Sequence, residues 1–440
     1  MKPRTIPTSL VLACATVWAA ACGEPLTTPS AEPDKTHRAE PAPTDTAALA
    51  ALAYAPDDSA TGRRIAAAQA ELRAQPDRIE AHLALATLLM RRQRETSNAV
   101  LMRYAQDVVD AARARAPEDP QVLLMHAMIL QDGHRFSRAS EVATEVLAMD
   151  PNNATAHLVR ADAQLELGDY EGAMDSVQAA LDLHPDLRSY NRAAHLRWLL
   201  GDFDSALAIM ELALDSGSPR DPESSAWCFV DLGMMFLHRG DGVRARASAE
   251  RALRLVPDYL PAQILEARAL HRTGRPAEAI EQLTGVVDRK PLVEELLRLA
   301  EWHETAGDAE AAGQRRAQAD RLASDDPRPL ALDLARRGVQ TERAVALARE
   351  ELSARTNIAA HDTLAVALAR AGEHDSAWAS MERALAMGTT DANLHLHAAL
   401  VHALAGRSTQ AREALARAEQ IDAAADPRVS DELRRRLGDA

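Results

Sequence analysis

Apolar residues along this chain recur every three to four positions, in short blocks that come in pairs. Between Ala154 and Leu187 the row reads ATAHLVRADAQLELGDYEGAMDSVQAALDLHPDL. The first block, running to Leu167, has the spacing of one apolar face of a helix. Gly168-Asp169 ends it, because Gly takes the left-handed conformation that closes a helix without a steric penalty. Tyr170 to Leu183 is a second helix of similar length. Pro185 stops it, since Pro has no amide to donate and restricts the residue before it. Two such helices leave an apolar face that one pair cannot bury alone, and stacking the next pair on top buries it.

The same unit returns along most of the chain. Ala105, Ala139, Ala173, Ala206, Ala245, Ala279, Ala312, Ala344, Ala377 and Ala411 lie 32 to 39 residues apart, each near the start of a second helix. A period of this length marks a supersecondary unit used about ten times. The small side chain has a steric reason: closely packed helix axes, about 8 Å apart, leave room for little more than a methyl group. A second small position follows seven residues later at Ala112, Ala180, Ala213, Ala252, Ala319, Ala384 and Ala418. Turn glycines keep pace at Gly168, Gly201, Gly240, Gly274, Gly307, Gly372 and Gly406. Prolines do so at Pro117, Pro151, Pro185, Pro219, Pro257 and Pro291.

These spacings resemble the tetratricopeptide repeat. The unit beginning at Ala226 carries the motif most fully, with Leu232-Gly233, Phe236, Gly240, Ala245, Ala252 and Pro257. Elsewhere Leu-Gly is replaced, as by Arg160-Ala161. The unit around Leu330 to Leu352 is short and lacks the closing Pro, and the first unit carries an insertion near Glu95-Thr96. The resemblance implies an all-α fold: an α-solenoid, or superhelix, of about ten helical hairpins over residues 76–423. It also implies a protein-interaction surface on the concave side, lined by the first helix of each pair.

Composition agrees with an array and narrows the function. Hydrophobic residues make up 47% of the 440 and aromatics only 3%, with few β-branched runs, which disfavours sheet. The formal charge of −15 gives no basic footprint for nucleic acid. No CxxC, HExxH, Walker loop, GxGxxG after a strand or GxSxG elbow is present. His303-Glu304 lacks the second histidine of a zinc motif. In the helix LHLHAALVHAL, His395 and His402 share a face but stand two turns apart, too far to hold one ion directly. Neither a metal nor a cofactor is implied, and no set of residues reads as catalytic. Cys228, in the apolar run AWCFV, reads as a small buried hydrophobe.

The N-terminus reads as an address. Lys2 and Arg4 precede an apolar stretch from Leu10 to Ala21, shorter than a membrane span. The following Ala19-Ala20-Ala21-Cys22-Gly23 resembles a bacterial lipobox, although Ala19 stands where Leu is usual. The resemblance implies a signal peptide over 1–21, lipid attachment at Cys22 and an outer-membrane site facing the periplasm. An ordinary signal peptide, giving a secreted or periplasmic protein, is the alternative. Residues 22–58, rich in Pro, Thr and Ala, read as a disordered tether. Residues 59–75 and 424–440 read as capping helices at the two ends of the solenoid.

Helical spacing places Arg188, Asn191, Arg192, His195 and Trp198 of the fourth unit along the inner face. Trp227, Val230 and Met234 follow from the fifth, and Ile264, Arg268 and His271 from the sixth. Such a mix suits another protein or peptide, with aromatic and Arg anchors. Plain packing roles for Trp198 and Trp227 are the alternative. The expectation is a non-catalytic scaffold held at a membrane by its N-terminal lipid. Lipoproteins with such repeats assist pilus-secretin and β-barrel assembly, which makes an envelope assembly factor the sharper form. A non-catalytic subunit of an envelope enzyme or secretion complex, or a structural spacer, remain as other readings.

Overall fold

A computed structural model describes residues 45–96, 98–324 and 326–438, and all secondary structure among them is helical. The signal peptide expected over 1–21, the lipid attachment expected at Cys22 and residues 22–44 of the expected tether lie outside the described residues. Two helices, α1 (Asp45–Ala53) and α2 (Ala60–Ala74), lead into ten antiparallel hairpins. The first helices of these units are α3 (Ile79–Thr96), α5 (Pro120–Asp132), α7 (Ala154–Glu166), α9 (Leu187–Leu199), α11 (Pro222–His238), α13 (Leu260–Arg272), α15 (Val293–Thr305), α17 (Pro327–Arg337), α19 (Ile358–Arg370) and α21 (Ala392–Leu404). The second helices alternate with them, from α4 (Ala99–Arg115) to α22 (Ser408–Ile421), and α23 (Pro427–Leu437) ends the array.

The repeated alanines are its packing points. All ten at the start of the second helices are at most 1% exposed, and the seven that follow are fully buried. A larger residue at any of them would force the helices apart and cost about 1–3 kcal/mol. The turn glycines Gly168, Gly201, Gly240, Gly274, Gly307, Gly372 and Gly406 all have positive φ, between 71° and 85°. Cys228 is buried, and burial pushes its thiol up to about 12.

One expectation needs correction at the N-terminal end. The tether expected over 22–58 gives way at Asp45 to α1, a helix of the sequence DTAALAALA. Ala and Leu are strong helix formers. Ala48 and Ala51 lie three apart on one face and are buried, and α1 packs on α4. Gln69 of α2 closes its C-terminal end, donating to the carbonyls of Ala51 (2.8 Å) and Tyr54 (2.9 Å).

The rotation from each unit to the next brings the chain back onto itself after six units. Unit nine then meets unit three. The Thr356 amide donates to the Glu166 carbonyl at 2.9 Å, Asn357 Nδ2 to the Glu166 carboxylate at 2.8 Å, and the Ile358 amide to the Tyr170 hydroxyl at 2.8 Å. Unit ten meets unit four, where Thr389 Oγ1 donates to the Leu199 carbonyl at 2.6 Å. Beyond unit ten, Asp422 pairs with Arg272 and lies against the unit-five turn at Gly240. These bonds form a polar seam between successive turns of the superhelix.

Candidate functional site

The superhelix encloses a lumen of about 1700 Å³. That exceeds the 300–1,000 Å³ usual for a small-molecule pocket and is of a size to admit a segment of chain. Every first helix contributes to its wall. This follows from the hairpin: the second helices carry the tight alanine contacts, and the first helices turn their remaining face inward.

Units two to five form one sector, stitched by polar side chains. Arg192 on α9 grips Asp162 on α7 through Nε and Nη2, at 2.7 and 2.6 Å. Gln131 on α5 donates to the same carboxylate at 3.1 Å, and Asn191 Nδ2 donates to Asp231 on α11 at 2.8 Å. Burial pushes Asp231 up to about 6, against the opposing pull of Asn191 and Arg192. Burial also pushes His195 down to about 4, so its imidazole is neutral at pH 7. The Trp198 ring lies between His195 and His238, with centroids 5.5 and 5.1 Å away. His238 in turn pairs with Asp391 across the seam at 2.7 Å. Burial alone would lower the His238 pKa, but the charge and hydrogen bond of Asp391 outweigh it and the net shift is upward. Trp227 also lines the lumen and is 46% exposed, unusual for so large an apolar side chain.

Units six to eight form a second sector, richer in arginine. Arg268, Arg298 and Arg328 converge on the Glu294 carboxylate at 2.9, 2.9 and 3.3 Å. Arg268 and Arg298 also pair with the buried Glu295. The three guanidinium groups hold Glu294 far below the usual carboxylate range, against the opposing effect of burial. His271 stacks flat on Trp302, with centroids 4.4 Å apart and an interplanar angle of 5°.

Of the residues singled out from sequence, Arg188, Asn191, Arg192, His195, Trp198, Trp227, Met234, Arg268 and His271 lie on this wall. Val230 and Ile264 do not. Val230 is one position from the wall residue Asp231, which turns it about 100° around the helix into the buried core. Ile264 packs between units, against the apolar cluster of units six to ten. Absent from that set are the carboxylates Asp162, Asp231, Glu294 and Asp391, which orient the cations and histidines already named. Only Asp231 shares a helix with residues already named, four positions after Trp227; the other three stand on helices or linkers that carry none of them.

Residues 124–188 and 191–260 match one tetratricopeptide repeat model, and residues 236–301 match a second. The chain is a tetratricopeptide repeat protein. The matches run through units two to seven, and the flanking units repeat the same hairpin. No curated protein matches the chain. Among solved structures, human IFIT1, as a dimer with m7Gppp-AAAA, shares 16% identity over 86% of this chain and 93% of its own, with a TM-score of 0.48. PilW, a widely conserved type IV pilus biogenesis factor, shares 24% over 47% and 94%, with a TM-score of 0.40. PilF of Pseudomonas aeruginosa shares 18% over 46% and 91%, with a TM-score of 0.39. Likeness at this level says nothing of function. Tetratricopeptide repeats are in general non-catalytic scaffolds that bind proteins or peptides.

Proposed function

We propose that this tetratricopeptide repeat protein is a membrane-tethered interaction scaffold, an envelope assembly factor that receives a segment of another protein in its lumen. The observation that carries this reading is the wall of units four and five. It sets a half-exposed Trp227 and a histidine-flanked Trp198 beside arginines already fixed by carboxylates. Aromatic and arginine groups held rigid before binding lose little side-chain entropy on contact, the condition under which a few residues dominate affinity. The lipobox-like Cys22 supports the tether.

The test uses the full chain in envelope membranes, with a photo-cross-linker placed at Met234. Trp198→Ala with Trp227→Ala is expected to weaken the cross-linked partner at least tenfold, while Val243→Ala on the outer face leaves it unchanged. Equal cross-linking by all three proteins makes the chain a spacer. Cys22→Ser is expected to move the protein into the soluble fraction; retention in the membrane ends the lipid-anchor reading.

A further inference from the structure

A solenoid cap needs to cover only the last repeat. The C-terminal segment does more. One face of α23 behaves as a cap: Val429 and Leu433 are fully buried and the helix packs on α21, where the next first helix would lie. The rest of the segment, from Asp422 at the end of α22 through the other face of α23, reaches back to four earlier units, with Asp426 and Arg428 on the lumen wall. Asp422 pairs with Arg272 of unit six. Arg428 pairs with Glu304 of unit seven at 2.5 Å, and Asp426 with Arg336 of unit eight at 2.5 Å. Arg370 of unit nine holds Glu432 with two bonds, at 2.7 and 2.6 Å.

Asp426 is the strained member. Its φ is +23°, a region that L-residues seldom occupy, while its carboxylate is only 4% exposed. Strain of this kind persists only where surrounding contacts over-determine it, and it clusters at sites that bind or switch. Here those contacts are the Arg336 pair and the Val429 amide, which donates to Asp426 at 3.1 Å. Neither the strain nor the reach back to unit six contributes to covering the end of the array.

We propose that residues 422–432 are a resident acidic ligand of Arg272 and Arg336 of the lumen wall and of Arg370, which bonds the Arg336 carbonyl beside it, and that an acidic segment of a partner protein takes their place. This rests on the reading of the lumen as a protein-binding surface. The segment presents carboxylates at 422, 426 and 432, each received by an arginine of a different unit. The wall's arginines are interspersed with Glu294 and Glu301, so it offers separated cationic points and no continuous basic track. Carboxylates spaced along a peptide match such points. The closely spaced phosphates of a nucleic acid would meet the intervening glutamates on a chain of formal charge −15. Because the resident segment is covalently attached, its effective concentration is in about the millimolar range, and it attenuates the affinity of any competitor.

The experiment measures binding of a fluorescent peptide, QIDAAADPRVSDEL (residues 420–433), to the full chain by anisotropy at low and high salt. Asp422→Asn with Glu432→Gln releases the resident segment while leaving Asp426 as the helix cap. The released chain is expected to bind the peptide at least tenfold more tightly than the parent, with the gain lost at high salt and on adding Arg336→Ala. A peptide carrying Asn and Gln at the acidic positions is expected not to bind. Equal binding by parent and released chains, equal binding of the neutral peptide, or equal competition by a single-stranded oligonucleotide would each overturn the proposal. Should the released chain fail to fold, hydrogen exchange in the parent decides: saturating peptide is expected to raise exchange across 422–432, and unchanged exchange refutes the inference. Peptide uptake by the released chain, together with cross-linking that ignores Trp198 and Trp227, leaves this inference standing and ends the scaffold reading. The opposite pair of results does the reverse.

Discussion

The turns of units three to five and those of units six, seven, nine and ten share one local design and differ in their surroundings. All carry a glycine at positive φ that closes a first helix. At Gly274, Gly307, Gly372 and Gly406 an added methyl group would meet nothing within 4 Å. At Gly168 it would lie 2.5 Å from the Thr356 carbonyl oxygen, and at Gly201 2.6 Å from that of Gly388. At Gly240 it would meet Arg272 and Asp422 at 2.6 and 2.9 Å. The first group needs glycine for its backbone alone. The second also needs it because the next turn of the superhelix lies directly above. A repeat motif therefore specifies the hairpin, and a second requirement appears only where the superhelix closes on itself.

The sharpest way to break this comparison is to add the methyl group in both places. Gly274→Ala is expected to cost about 1–2 kcal/mol, the penalty of a left-handed alanine. Gly201→Ala adds a backbone clash that no rotamer relieves, and is expected to cost on the order of 3 kcal/mol or more, with opening of the seam. Hydrogen exchange at Thr389–Asn393, together with the radius of gyration in solution, separates local opening from general loss of stability. Equal effects at the two glycines would mean that the seam does not form in solution.

A smaller effect probes the seam without disturbing the turn. The Tyr170 hydroxyl accepts from the Ile358 amide, one of the first-turn donors of α19 that no carbonyl within the helix can satisfy. Tyr170→Phe keeps the ring and leaves that amide without its acceptor. The expected loss is about 1–2 kcal/mol, confined to units three and nine. Exchange at Ile358 reads it, and an unchanged rate there would show that water replaces the hydroxyl at no cost.

The legibility of this molecule divides along the same line. The period, the buried alanines and the turn glycines are local features, and a 34-residue window contains every partner each of them needs. The seam joins residues 150 to 191 positions apart, and its partners are set by small rotations accumulating from unit to unit. One local trace of it exists. The linkers before α19 and α21 carry Thr356-Asn357 and Thr389-Thr390, where those before α5, α7 and α13 carry Pro117, Pro151 and Pro257. Proline cannot donate to a carbonyl above it, and threonine can. On the wall, anchors such as Trp198 and Arg192 could be read from helical phase. The carboxylates that fix them could not be chosen among 65 acidic residues without knowing which helices face each other.

The least disruptive probe of the seam is pH. His238 and Asp391 join units five and ten, and the groups facing the imidazole are Asp391, Trp198, the neutral His195, and the more distant Arg268 and Arg298. The folded pKa of His238 lies above its ordinary 6.5 because Asp391 outweighs burial and the two arginines. A folded value raised in this way contributes stability that is fully present below the unfolded pKa and is lost as pH rises through the folded one. His195 acts in the opposite sense. Its depressed pKa costs stability as pH falls below 6.5, and Asp231, pushed up to about 6, titrates nearby, so the global unfolding curve mixes several effects. Local exchange separates them. Between pH 6 and pH 9, once intrinsic rates are corrected, opening at Asp391–Asn393 is expected to become easier by about 1 kcal/mol. His238→Gln should flatten that dependence and leave exchange at Ile358, in the other half of the seam, unchanged. A slope that survives His238→Gln would assign the pH response to another group and leave the His238–Asp391 pair a static link.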